Sequence, residues 1–215
     1  MKLVAISVGG PREVEWRGRS IQTSIFKTPI SGRVHVARGN VEGDQQSDLS
    51  VHGGPEKAVY AYPVEHYAFW RLELPDAELT WGAFGENFTT EGLLENEVWI
   101  GDRYRVGTAE LVVTQPRMPC YKLGVRFGRP DMVKRFLRSG RSGFYFSVER
   151  EGEVCPGDAI ERLARDERRL TVADVVALYA TDAANQSLLE RASDHPSLPA
   201  AWREYFRQRL WEPDA

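Results

Sequence analysis

The order of apolar and polar positions changes character once along the chain. Up to about residue 164 the apolar runs are short: residues 3–8, 21–26, 32–36, 98–100, 104–106, 111–114, 144–148 and 159–163. Turn residues such as Gly101-Asp102 and Pro156-Gly157-Asp158 separate them, which predicts strands. Many short strands with Gly/Asp turns suggest a barrel or a sandwich. Two helices interrupt this pattern. Residues 63–72 carry Tyr67 and Trp70, with Leu74 just beyond, at helical spacing; residues 130–137 open on Pro130, suited to a first helical turn.

After Arg165 the period becomes helical. Residues 171–179 form one predicted helix, with Thr171 as N-cap and Asp174 three positions on. Residues 185–191 form a second, and residues 198–210 a third with Trp202, Phe206 and Leu210 on one face. The prediction is a mainly β domain with inserted helices over residues 1–164, followed by a small three-helix subdomain over residues 165–215. Helices this short are marginal alone. They must pack on each other, on the β domain or on a partner; docking of a partner protein is the expectation.

Composition narrows the function classes. The 215 residues carry a formal net charge of −3, so nothing in bulk favours nucleic acid or an anionic membrane. The tail looks like a helix-turn-helix, but residues 165–210 hold seven Arg and no Lys against seven Asp plus Glu. A DNA-binding module needs a basic excess, so packing or docking is the reading. No apolar run is long enough to span a bilayer. The N-terminal run, residues 1–10, is a first strand rather than a signal peptide, because no small-residue cleavage site follows it. Two cysteines make no disulfide framework, which fits the cytoplasm. A monomer or weak dimer is expected.

The stretch QPRMPC, residues 115–120, ends a strand in two prolines, an arginine and a cysteine. Pro116 and Pro119 restrict the backbone, and Arg117 and Lys122 favour a thiolate at Cys120. Cys120 is then a soft metal ligand or nucleophile; equally, it is a small buried hydrophobe. Cys155 has acidic neighbours and reads as structural. In VHGGPEKAV, His52 precedes two glycines whose N–H groups can hold an anion or simply form a turn. Asp44 and Asp48, upstream, cap turns or orient His52. Asn87, in FGENFTTEG, caps a turn or reads the edge of a heterocycle. Lys27, Thr28 and Arg33 offer a phosphate site or a solvated strand end.

Together, KTP, EGD, HGGPEKAV, FGEN and QPRxPC resemble the MOSC family, domains related to the C-terminal part of molybdenum-cofactor sulfurase. The chain looks most like the stand-alone bacterial YiiM-like members, whose C-terminal "3-alpha" domain the tail resembles. The resemblance implies a β-barrel with inserted helices and a cleft for the molybdenum cofactor, a pyranopterin carrying molybdenum. It also brings pyridoxal phosphate binding as a family-level term only. It makes Cys120 the residue that coordinates molybdenum or carries sulfur, and the catalytic residue. Lys27 and Thr28 match a Lys-Ser/Thr step near the cofactor's phosphate, Asn87 matches an asparagine of the cofactor loop, and His52 matches a signature histidine. Larger reductase relatives read Arg-Pro-Asn where this chain reads Gly85-Glu86-Asn87, so Arg33, Arg117 or Arg126 is expected to replace the missing arginine.

The implied function is reduction of N-hydroxylated compounds such as hydroxylamino-purines, a detoxification, with electrons from a separate flavin or iron–sulfur reductase. The alternative is a sulfur carrier or cofactor-handling protein with a Cys120 persulfide. A Cys–His–Asn hydrolase of Cys120, His52 and Asn87 has the residue types of a triad, but no oxyanion-hole signature accompanies it.

Overall fold

The computed structural model describes residues 1–47, 53–181 and 185–211. Alternation builds its strands. In β9 (Ala109–Pro116), Ala109, Leu111 and Val113 point inward, and in β10 (Phe144–Arg150) so do Phe144, Phe146 and Val148. This period of two places one face of each strand in a common core.

Eight strands share one sheet in the order β12 (Ile160–Ala164), β8 (Arg103–Val106), β9, β10, β6 (Val59–Pro63), β7 (Phe88–Glu91), β1 (Lys2–Val8), β4 (Thr28–Ile30). All neighbours are antiparallel except β6 and β7. The start of β12, at one end of the sheet, meets the start of β1 near the other end. Leu3 N donates to Asp158 O (2.9 Å), Gly157 N to Leu3 O (2.7 Å) and Ile160 N to Met1 O (3.0 Å). These bonds close the sheet into the expected barrel and remove an exposed edge. Two small pairs flank it: β2 (Arg12–Trp16) with β3 (Arg19–Thr23), and β5 (Val34–Val36) with β11 (Gly152–Val154).

Three helices cover one side of the barrel: α1 (His66–Glu73), α2 (Tyr121–Phe127) and α3 (Met132–Ser139). An aromatic cluster fixes two of them. Trp70 stacks on Phe136 (5.8 Å, 12°) and donates from Nε1 to Tyr62 Oη (2.6 Å). α1 starts three residues later than expected, because Pro63 ends β6 instead of opening the helix. Helix α2 was not expected: seven residues with Gly124 in the middle carry almost no helical signal.

The tail forms α4 (Val172–Ala180), α5 (Gln186–Ser193) and α6 (Ala200–Trp211). The capping box is present, Thr171 Oγ1 accepting from Asp174 N and the Asp174 carboxylate accepting from Thr171 N. Contrary to the docking expectation, the tail's apolar faces are already occupied. Val172, Val175, Leu178, Leu189, Leu198 and Phe206 lie in the same core as the barrel strands. Residues 98–100, expected as a strand, instead receive the tail's backbone: Ile100 N donates to Leu170 O (2.8 Å) and Val172 N to Val98 O (3.0 Å). Trp202 Nε1 reaches further, donating to Gln115 Oε1 on β9 (2.9 Å). Among the described residues no helix is long and apolar enough to cross a membrane.

Burying a large apolar side chain contributes about 1.5–3 kcal/mol, so the shared core is worth a large part of a stability that is itself about 5–15 kcal/mol. Cutting the chain at Arg165 is therefore expected to leave an aggregating barrel, measured by light scattering beside the full chain. A soluble, monomeric fragment with cooperative melting would show that the tail is dispensable.

Candidate functional site

The candidate site is built on the corner after β9. Pro116 ends the strand, residues 117–120 turn, and Cys120 takes the position before α2 with an extended backbone (φ −118°). The turn is tied down from behind. Arg117 N donates to Gly143 O (3.2 Å), and Gly143 N donates to Glu95 Oε1 (2.7 Å). Glu95 Oε2 lies 2.7 Å from His66 Nε2, both side chains buried. Gly143 has φ +59°, and a Cβ there would sit 2.4 Å from Ala61 O, so only glycine fits.

Arg117 projects into the interior. It is 6% exposed, and its guanidinium carbon lies 5.5 Å from the Tyr60 ring centre and 5.2 Å from that of Phe136. Burial works against its charge, but Tyr60, Tyr145 and Cys120 favour it, and its pKa is raised overall. Burial also raises the phenols of Tyr60 and Tyr145, with Arg117 opposing, so both stay protonated at neutral pH. Nη1 of Arg117 has no hydrogen-bond partner among the described residues.

A second cluster forms the other wall. The Lys27 ammonium is hydrogen-bonded to the Asp44 carboxylate, with 9% and 1% of the two side chains exposed. Burial lowers the Lys27 pKa, and Asp44 opposes that effect. Asp44 also accepts from Gly9 N (2.9 Å) and from Asn87 Nδ2 (2.9 Å). Asn87 Oδ1 accepts from Tyr60 N (3.1 Å), and its Nδ2 also approaches Ser7 O (3.4 Å). The asparagine's polar atoms are therefore engaged, and it acts on the site by holding Asp44. That also removes it from a hydrolase triad.

Between these walls lies an open cleft lined by Lys27, Asn87, Arg117 and Cys120 together with Lys57 and Lys122. Among the described residues, Lys27, Lys57, Arg117 and Lys122 line it together with the Asp44 carboxylate. Such a cleft suits an anionic ligand. Lys122 is 7% exposed, its Nζ 3.4 Å from Ser47 Oγ.

Several candidates lie elsewhere. Thr28 is exposed on β4, paired with Val8, and Arg33 is exposed just before β5; neither lines the cleft. Arg126 packs over Phe26 (5.3 Å) and faces a different groove. Of the three arginines offered as replacements, Arg117 is the one in the cleft. Glu86 does not face it either. It is fully buried, accepting from Gly82 N (2.8 Å), Phe84 N (3.0 Å) and the Tyr67 hydroxyl, so it clamps its own loop. Burial raises its pKa, and these hydrogen bonds oppose the rise. Cys155 belongs to the turn before β12, its N–H donating to Asp158 Oδ2 (2.8 Å). His52 and Asp48 lie outside the described residues. Among the described residues no three His, Cys, Asp or Glu side chains converge as a metal site. Tyr60 and Tyr145 were not singled out from sequence, because alternating tyrosines in a strand look like ordinary core.

A family model described as the MOSC domain matches residues 48–161, and a second, the YiiM-like 3-alpha helix domain, matches residues 170–211. The chain belongs to the MOSC domain family. Within it, YflK of Bacillus subtilis is 42% identical over 96% of this chain and 93% of its own. The solved structure of YiiM from Geobacillus stearothermophilus is 37% identical, with a TM-score of 0.82 over 97% of this chain and 98% of that one. A Gibberella moniliformis protein named "Reductase" is 36% identical over 83% of this chain but only 32% of its own length. The MOSC match spans the corner, the Asn87 loop and β6, while Lys27 and Asp44 precede it.

Asn87→Ala leaves Asp44 and Tyr60 N without partners. It is expected to cost about 1–3 kcal/mol, or roughly 2–12 °C in Tm. An unchanged Tm by calorimetry would show that Asp44 is held by other groups.

Proposed function

We propose that this MOSC protein binds the molybdenum cofactor in the Lys27–Cys120 cleft and reduces N-hydroxylated compounds with electrons from a separate flavin or iron–sulfur reductase. The observation that carries the reading is the buried Arg117 guanidinium, with one nitrogen unpartnered among the described residues, in a cationic cleft beside Cys120. An anion-bearing group that also takes a thiolate ligand fits this donor set. The relative named a reductase supports the reaction class.

When bound, the cofactor supplies the two-electron exchange by which R–NHOH, two electrons and two protons become R–NH2 and water. The chain's own residues do the rest. Cys120 presents one sulfur from a corner fixed by Arg117 N, Gly143 and Glu95, and a fixed direction is what a metal ligand requires. Arg117 holds that sulfur as a thiolate by its charge. Lys27 has three N–H donors. Asp44 takes one and aims the others, so Lys27 serves as the phosphate contact, without the help of Thr28. Tyr60, Tyr145 and Phe136 keep water from the guanidinium and strengthen each charged contact.

Cys120→Ser is expected to lose at least about a hundredfold of N-hydroxyadenine reduction, assayed with the reductase partner, because a hydroxyl is a harder and far less acidic ligand. Cys155→Ser is expected to stay within about twofold of wild type, since its position is a turn remote from the cleft. Equal loss in the two variants would refute the assignment. A persulfide mass on Cys120 in protein without reductase activity would instead support the sulfur-carrier reading.

A further inference from the structure

We propose that the β2–β3 hairpin and Tyr121 form a substrate subsite for a planar aromatic ring carrying an anionic group, which makes the nucleotide, rather than the free base, the preferred substrate. This rests on the reductase reading of the neighbouring cleft.

The hairpin register pairs Trp16 with Arg19, Val14 with Ile21 and Arg12 with Thr23. Directly paired residues share a face, so one face carries Arg12, Val14, Trp16, Arg19, Ile21 and Thr23. The other carries Glu13 and Glu15, with Ser20 donating to Glu13. Acidic groups are thus segregated from the arginines. At its base this face meets the body of the protein, and towards the tip it is half-buried to exposed: Arg12 lies 3.3 Å above the Phe26 ring, and Thr23 lines the Cys120 cleft.

Beside that face opens a second cavity, lined by Trp16, Arg17, Arg19, Ser20, Ile21 and Tyr121. Tyr121 follows Cys120 directly and is 54% exposed. The exposed Tyr121 ring is therefore open to a ligand in this cavity, and at 54% exposure it does not belong to the core. The hairpin tip adds an anomaly. Arg17 and Gly18 both have positive φ (53° and 73°), the two-residue turn that normally takes Asn-Gly. A β-carbon residue there carries a conformational cost, and the result is a second guanidinium at the cavity's rim. Trp16 and Tyr121 offer a stacking platform, and Arg17 and Arg19 offer phosphate contacts. Along the chain its lining adjoins that of the Cys120 cleft, since Tyr121 follows Cys120 and Ile21 stands two residues before Thr23.

The test is calorimetric titration of the full chain with AMP, adenosine and inorganic phosphate, which needs no cofactor or turnover. AMP is expected to bind, and adenosine to bind roughly ten- to a hundredfold more weakly, the value of charge-assisted hydrogen bonds. Trp16→Ala and Arg19→Ala should each weaken AMP at least about tenfold. Trp16→Phe should recover most of the loss, and Glu13→Gln on the opposite face should leave AMP binding unchanged. No AMP binding at millimolar concentration, equal AMP and adenosine affinity, or AMP binding indifferent to Trp16→Ala and Arg19→Ala would overturn the subsite. The two proposals fail separately. AMP binding through Trp16 and Arg19, in a molybdenum-loaded protein that does not reduce the N-hydroxy nucleotide, would remove the reductase reading and leave the subsite. Reduction of nucleoside and nucleotide with the same KM would do the reverse.

Discussion

A guanidinium stays charged at any physiological pH, and taking it out of water costs several kcal/mol unless a partner offsets the loss. Arg117 is 6% exposed between Tyr60 and Phe136. The rings contribute cation–π attraction, which offsets part of that cost, but neutral phenols cannot balance the charge. The surrounding structure follows from this constraint. A thiolate or an anionic ligand placed beside Arg117 would offset that charge. The residue sits in a turn held by backbone bonds because a buried charge in a mobile loop would simply swing out to solvent.

The support for that turn is distributed through the fold. His66 and Glu95 act through Gly143 on one side. On the other, Thr114 Oγ1 donates to Glu56 O (2.7 Å), and Gln115 accepts from Trp202 of the tail. The three-helix unit is therefore a buttress for the strand that delivers Arg117 and Cys120. Closure of the sheet at residues 157–160 against residues 1–3 holds β1, and β1 brings Ser7 and the following Gly9 to the Asn87–Asp44–Lys27 wall.

Much of this was legible in the sequence, and the limits have physical causes. Short apolar runs between turn residues gave five of the eight barrel strands, β1, β8, β9, β10 and β12, and the apolar runs after Arg165 gave the three tail helices. The proline-flanked corner at Cys120 was visible because proline acts locally. What the tail packs against was not visible: an apolar helix face is the same whether it meets a barrel or a partner. Asp44 looked like a turn cap, since its ligands Gly9, Lys27 and Asn87 come from three distant segments. Glu86 carried no reading in the sequence, and its carboxylate folds back onto Gly82 and Phe84, which only the loop's path reveals. Thr28 follows Lys27 in sequence, yet it opens β4 and is exposed to solvent.

The central claim is that the unbalanced charge of Arg117 and the sulfur of Cys120 together hold a molybdenum cofactor. Its most direct test is molybdenum content per chain, by mass spectrometry of protein purified from a host that makes the cofactor, for wild type and for Arg117→Met. The account predicts molybdenum in wild type approaching one per chain and its loss from the folded variant. Wild-type protein free of molybdenum, or an Arg117→Met protein loaded as fully as wild type, would contradict it.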